Sequence, residues 1–220
     1  MIALIDYEVG NLFSIKASLG RIGAEAVLTR DPKIIAASDR IILPGVGAFG
    51  DASLKLQEFG LDKVLIDEAK AGKPLLGICL GMQLLFEDSS EYGIHPGLGL
   101  LKGHVSDLRF DLPDPESLVP HMGWNELVFK NPSNEAFWLG SRAAEYAGQR
   151  KGSGVYAYFV HSFYAKDCEE ALVSWAEYDG VSVPALVSCQ SEGMKVFGMQ
   201  FHPEKSGADG LALLKKFTEI

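Results

Sequence analysis

Leu75-Leu76-Gly77-Ile78-Cys79-Leu80-Gly81-Met82-Gln83 is the stretch that decides how this chain folds. Residues 75–78 suit a short buried strand. They lead into Gly-x-Cys-x-Gly, and a helical pattern through Met82, Leu84, Leu85 and Phe86 follows. A strand that turns sharply into a helix strains the residue at the turn. Small residues two places before and after it let the turn close. The residue at the turn is presented at the sheet edge, and here it is a thiol. A helix N-terminus favours the thiolate and aims backbone N–H groups at any oxyanion that develops beside it. The alternative is a buried structural cysteine behind a core strand, a common fate of a free Cys.

Working outward, the first half of the chain alternates strand and helix. Ile2–Ile5, residues 26–28 and residues 41–43 read as apolar strands. Leu12, Ile15, Leu19 and Ile22 recur at helical spacing, with Asn11 as a candidate cap and Gly23 as a stop. Residues 54–71 carry two short helical patterns broken at Gly60 and ended by Gly72. The second half reads differently: residues 97–105, 126–129, 155–160, 171–176, 184–189 and 195–199 all look like strands. Several are joined by short polar turns such as Tyr178-Asp179-Gly180 and Ser191-Glu192-Gly193. Residues 208–217 form a last amphipathic helix, and 131–154 stay unassigned apart from a surface turn at Lys151-Gly152-Ser153-Gly154. The pattern predicts an α/β fold with an open, mainly parallel sheet flanked by helices. Antiparallel strands are added in the C-terminal half. With 220 residues, one domain over 1–220 is expected.

The thiol needs a base. Phe201-His202-Pro203-Glu204 follows the apolar run Val196-Phe197-Gly198-Met199-Gln200. A strand puts i and i+2 on one face, so His202 and Glu204 are predicted to point the same way at a strand end marked by Pro203. An imidazole with a carboxylate to orient it is the partner pair a Cys nucleophile requires. Pro44-Gly45-Val46-Gly47-Ala48-Phe49-Gly50 contains Gly-x-Gly-x-x-Gly, which could mark a dinucleotide loop. No ribose-binding acid follows, however, and the first βα turn lies elsewhere, at residues 6–11. It reads better as a glycine loop at the same sheet edge as Cys79, offering one oxyanion N–H beside that of Leu80. The stretches 120–125 and 158–164 mix aromatic and polar residues as interfaces do. Core positions are the alternative for His121 and His161.

Composition narrows the function classes. Hydrophobic residues make up 47% and charged residues 22%, enough for a sizeable core. A net charge of −9 argues against a nucleic-acid surface. No long apolar run suggests a membrane span, and the N-terminal residues look like a core strand rather than a signal segment. Cys79, Cys168 and Cys189 are too few and too scattered for a zinc site or a disulfide framework, so no metal or cofactor and a cytoplasmic setting are expected.

With these residues assembled, the chain resembles the class I (triad) glutamine amidotransferases, whose Gly-x-Cys-x-Gly elbow and distant His-x-Glu match Cys79, His202 and Glu204. Within that family it is similar to the glutaminase subunits of imidazole glycerol phosphate synthases. The match runs from end to end, through Ile5-Asp6-Tyr7, Gly10-Asn11-Leu12, Leu43-Pro44-Gly45-Val46-Gly47, Gly97-Leu98-Gly99-Leu100, Pro120-His121-Met122-Gly123-Trp124-Asn125, Phe159-Val160-His161-Ser162 and His202-Pro203-Glu204-Lys205-Ser206. It departs at Tyr7-Glu8-Val9-Gly10, where smaller residues are usual, and in a longer 131–154 region. The resemblance implies hydrolysis of glutamine through a Cys79 thioester. Gly45, Val46, Gly47 and Leu80 surround the oxyanion, and Gln83, Ser162 and Phe163 hold glutamine. It also implies a (β/α)8-barrel cyclase partner that receives the ammonia and meets Asn11, Trp124, Tyr158 and Lys205. Two other readings are the glutaminase of another synthase, which residues 120–125 and 202–206 oppose, and a silent interaction domain, which the intact triad opposes.

Overall fold

The computed structural model describes residues 1–140, 154–189 and 193–220. Apolar runs buried on both faces form the centre of the molecule. Strands β1 (Ile2–Ile5), β3 (Arg40–Gly45) and β4 (Leu75–Cys79) are buried almost throughout. They pair in parallel, with β2 (Ala26–Thr29) on the outer side of β1. Alternate side chains feed two cores. Ala3, Ile5, Ile41, Leu43 and Leu75 pack with helices α2 (Pro32–Ala37), α3 (Phe49–Glu58) and α4 (Leu61–Lys70). Ile2, Leu4, Ile42, Leu76 and Ile78 pack with α1 (Leu12–Arg21), α6 (Pro132–Leu139) and α7 (Gly207–Thr218).

Beyond β4 the same sheet continues with β14 (Val196–Met199), also parallel. It then turns antiparallel through β13 (Val181–Cys189), β12 (Leu172–Tyr178) and β9 (Val128–Phe129). Pro184 lies inside β13 rather than at its start. The ladder shifts register beside its partner Trp175, where the missing proline N–H is accommodated. A hairpin-like pair, β8 (His121–Glu126) and β10 (Tyr156–His161), stands apart from the main sheet. A small sheet holds β11 (Phe163–Lys166), β7 (His104–Asp107), β5 (Asp88–Ser89) and β6 (His95–Pro96). The expected α/β architecture, parallel first and antiparallel later, is the one observed.

Three local expectations fail for stated reasons. The helix after Cys79, α5 (Leu80–Gln83), does not run on through Phe86. The carbonyls of Leu84, Leu85 and Phe86 instead accept from the N–H groups of Leu98, Leu100, Leu101 and Gly99. The same bonds explain why residues 97–105 are not one strand: the first part of that run closes the helix end and only His104 onward pairs as β7. Helix α2 went unpredicted although Asp31-Pro32 is a helix-start signal; Asp31 accepts from the Lys33 N–H and Pro32 occupies the first turn. The Lys151–Ser153 part of the expected surface turn, and Ser191-Glu192, lie outside the described residues. Among the described residues no helix is long and apolar enough to cross a membrane.

Candidate active site

The elbow is built by backbone sterics. Cys79 sits at φ 54°, ψ −112°, a conformation L-residues avoid, at the end of a fully buried strand. Gly77 and Gly81 make it possible. A Cβ on Gly77 would lie 2.4 Å from the Gly81 carbonyl oxygen, and one on Gly81 would lie 1.9 Å from that of Leu43. Gly45 ends the neighbouring strand in register with Cys79, so the loop Val46-Gly47 leaves the sheet beside the thiol.

His202 and Glu204 arrive differently from the expectation. Strand β14 stops at Met199; His202 is extended, and Pro203–Lys205 form one 3-10 turn. Proline 203 cannot donate to a ladder, and the segment is tied to β10 instead. The His202 N–H donates to the Tyr158 carbonyl at 2.9 Å. The Tyr158 N–H donates to Ser206 Oγ at 2.9 Å, and that hydroxyl donates to the His202 carbonyl at 2.7 Å. The turn, not a strand face, sets His202 Nδ1 2.9 Å from Glu204 Oε1. Both side chains are almost wholly buried. Asn11 is not the side-chain cap of α1; its Nδ2 donates to Glu204 Oε1 at 3.4 Å.

His202 and Cys79 line the same cavity and interact electrostatically. Burial alone pushes its imidazole down. The hydrogen bonds and negative charges of Cys79 and Glu204 outweigh that and hold it up at about 9. A cationic imidazole beside a cysteine is the pairing from which a thiol nucleophile is activated.

Cys79 and His202 open into a cavity of about 330 Å³; of the residues predicted for oxyanion and substrate, Val46, Gly47, Leu80, Gln83, Ser162 and Phe163 also line it, whereas Gly45 ends β3 beside Cys79 and does not. Gln83 Nε2 is already engaged, donating to the Phe163 carbonyl at 2.8 Å and to Gln200 Oε1 at 3.0 Å. The Gln200 amide in turn lies 3.9 Å from Cys79 Sγ. Glu91, Tyr92 and Arg109 line the same cavity and were missed by sequence reasoning, because no motif marks them. Glu91 Oε2 accepts the Phe49 N–H at 2.6 Å, so a carboxylate already occupies the start of α3. That is where a dinucleotide phosphate would have to sit, which removes the nucleotide reading of the glycine loop.

Trp124, Tyr158 and Lys205 gather on the outer side. The Trp124 and Tyr158 rings meet edge to face at 6.0 Å, and Lys205 Nζ lies 5.7 Å from the Tyr158 ring centre. A larger cleft of about 620 Å³ near Leu100, Cys168 and Met194 offers no comparable chemistry. Burial, then the charges of Glu169 and Asp167, push the Cys168 thiol up to about 12, which keeps it protonated.

A strained thiol at a sheet edge, with a buried imidazole–carboxylate pair facing it, is the constellation of an acyl-transfer enzyme. The chain belongs to the class-I glutamine amidotransferases, whose family profile matches residues 3–220. It is 45% identical over 220 residues to the imidazole glycerol phosphate synthase subunit HisH of Lactiplantibacillus plantarum, covering all of this chain and 96% of that one. The HisH subunit of Bacillus subtilis is 45% identical over 222 residues, with the same coverage. In fold it resembles a solved glutamine amidotransferase at TM-score 0.72 and 20% identity, covering 100% of this chain and 98% of that one. It also resembles PurLQS from Thermotoga maritima at TM-score 0.71 and 22% identity, covering 99% and 97%.

Proposed function

We propose that this chain is the glutaminase subunit of an imidazole glycerol phosphate synthase, acting as one unit in the cytoplasm. The observation that carries the chemistry is the Cys79 elbow facing His202, itself bonded to Glu204 at 2.9 Å. Full-length likeness to HisH proteins supports the pathway. The Cys79 thiolate attacks the carboxamide carbon of glutamine, and the Leu80 N–H receives the oxyanion. His202 gives its proton to the leaving ammonia, which leaves a glutamyl thioester. His202 then takes a proton from water, whose oxygen attacks the thioester, and glutamate departs with the thiolate restored. Glu204 holds the imidazole in orientation throughout. Gln83 acts by holding Phe163 and Gln200 around the substrate. Glu91 and Arg109 bring an acidic and a basic side chain to the cavity wall, Arg109 being held by Asp107 at 2.6 Å, and an amino-acid head group would meet them there.

Ammonia freed into water would be protonated and lost as a nucleophile, so a partner must receive it directly. We assign that partner as a (β/α)8-barrel cyclase docking around Asn11, Trp124, Tyr158 and Lys205. Exposed apolar groups support this surface: Phe13 is 85% and Trp124 54% exposed. The isolated chain is expected to be nearly inactive, with Val46 turning its N–H inward only when the partner binds. The test is glutaminase turnover with and without the cyclase and its nucleotide substrate. Strong stimulation that disappears in Cys79→Ala supports the reading. High turnover by the chain alone rejects the Val46 switch, and equal turnover with and without the cyclase rejects the pathway.

A further inference from the structure

Behind the cavity a run of polar groups crosses from β8 to the substrate side. Asn125 Nδ2 lies 2.9 Å from the Glu177 carbonyl oxygen, and Asn125 Oδ1 lies 2.8 Å from His121 Nε2. His121 Nδ1 lies 3.0 Å from His161 Nε2, and His161 Nδ1 lies 2.9 Å from the Phe163 carbonyl oxygen. Both ends of the run are carbonyls, which only accept. Four hydrogen bonds therefore need four protons. Asn125 supplies one, since its oxygen takes the other position, and each neutral histidine supplies one. The total is one proton short for every tautomer and for either orientation of the Asn125 amide. With neutral histidines, two lone pairs must face each other somewhere in the run, and its two histidines are buried.

The surroundings say where the missing proton belongs. The His121 ring is sandwiched between Phe159, stacked at 4.9 Å, and Tyr178, stacked at 4.1 Å. The negative faces of two aromatic rings favour an imidazolium between them. Asp179, after β12, adds a negative charge facing His121. His161 has no such support. Burial, then the charge of His121, push it down to about 3, and His202 adds to the effect from the far side. Burial outweighs the Asn125 bond and the Asp179 charge and holds the His121 imidazole below its ordinary value as well; against that stand the hydrogen-bond count and both ring faces, which favour the cation on geometry.

We propose that His121 and His161 together bind one excess proton, carried on His121, and that this proton couples strand β8 to the Phe163 carbonyl. That carbonyl also accepts from Gln83 and borders the cavity. On the reading of the cavity as a glutamine site, His121 and His161 are positioning residues for substrate. The same strand β8 carries the exposed Met122 and Trp124, so the proton ties the outer surface to the pocket.

The test is the ring ¹⁵N spectrum of the full chain labelled on histidine, with His121 assigned by correlation to its own backbone, which separates it from His202. At pH 7 both His121 ring nitrogens are expected to carry protons. In Asn125→Ala only two hydrogen bonds remain in the run, and two neutral histidines satisfy them. His121 should then be neutral at the same pH, with its protonated fraction reduced roughly tenfold or more. A neutral His121 in the unaltered chain at pH 7, or an undiminished cation in Asn125→Ala, overturns the proposal. These spectra need neither glutamine nor partner, so their failure leaves the glutaminase reading standing, and a missing glutaminase activity leaves them readable. Where glutamine is turned over, Asn125→Ala should raise KM with little change in kcat. A loss confined to kcat rejects the positioning role.

Discussion

The two sides of the candidate active site are held by different physics. The nucleophile side belongs to the parallel half of the sheet and is fixed by exclusion: Gly77 and Gly81 leave no space for a Cβ, and the backbone of Cys79 has one way to pass. The base side follows parallel strand β14 but is tied to the antiparallel β8–β10 pair and fixed by polar bonds. Tyr158, Ser206, Glu204 and Asn11 hold the His202 segment, and Asn125, His121 and His161 hold the Phe163 carbonyl. Steric exclusion has no dependence on pH and tolerates almost no substitution. A hydrogen-bonded arrangement tolerates isosteric change but responds to protonation.

The sharpest way to break this contrast is Gly81→Ala. Its Cβ would meet the Leu43 carbonyl, an atom of the sheet itself that cannot rotate away. A loss of more than about 4 kcal/mol, or no folded protein, is expected in chemical denaturation. A normally stable, active Gly81→Ala would show that exclusion does not hold the elbow.

Glu204→Gln tests the other side. Stability should change modestly while glutaminase turnover in the partner complex falls by up to about 10⁴-fold, the scale on which an amide in place of the orienting carboxylate acts. The pH dependence carries a sign. His202 is held at about 9, above its ordinary value near 6.5. The stabilisation from its partners is therefore complete below about pH 6.5 and is lost as pH rises through about 9. The full span is on the order of 3 kcal/mol for a shift to about 9. Denaturation midpoints across pH 6–10 should fall in the unaltered chain, and more gently in Glu204→Gln. Parallel curves would mean that Glu204 does not hold the imidazole.

The smallest expected effect concerns the outer surface. Trp124→Ala should weaken cyclase binding by about 10–100-fold, as an aromatic anchor at an interface does, and leave the thermal midpoint nearly unchanged because the ring is half exposed. Calorimetric titration with the cyclase measures it. Undiminished affinity would move the docking surface away from β8.

Cys79, His202, Glu204 and the strand–helix alternation were legible in the sequence because each rests on a local constraint. Gly-x-Cys-x-Gly describes a turn within a few residues, and buried strands declare themselves as apolar runs. Glu91 and Arg109, which reach the cavity, and Gln200, buried beside the Cys79 thiol, were not legible, since each comes from a segment whose own pattern is ordinary. The truncation of α5 was hidden for a related reason. Its competing donors, at Leu98 to Leu101, lie more than ten residues away, and no propensity of residues 84–86 announces them.

The sequence by itself determined the thiol at the elbow, the imidazole and carboxylate placed beside it in the candidate site, and the parallel core that presents them, because apolar periodicity and glycine sterics act over short stretches of chain. Only the tertiary structure decided that a 3-10 turn rather than a strand aligns His202 with Glu204. It alone set Gln83 to bracing its neighbours, and stacked His121 between Phe159 and Tyr178 in a run that is one proton short when both histidines are neutral. Hydrogen bonds between distant segments depend on where every other element has packed, and that is settled only when the whole chain has folded.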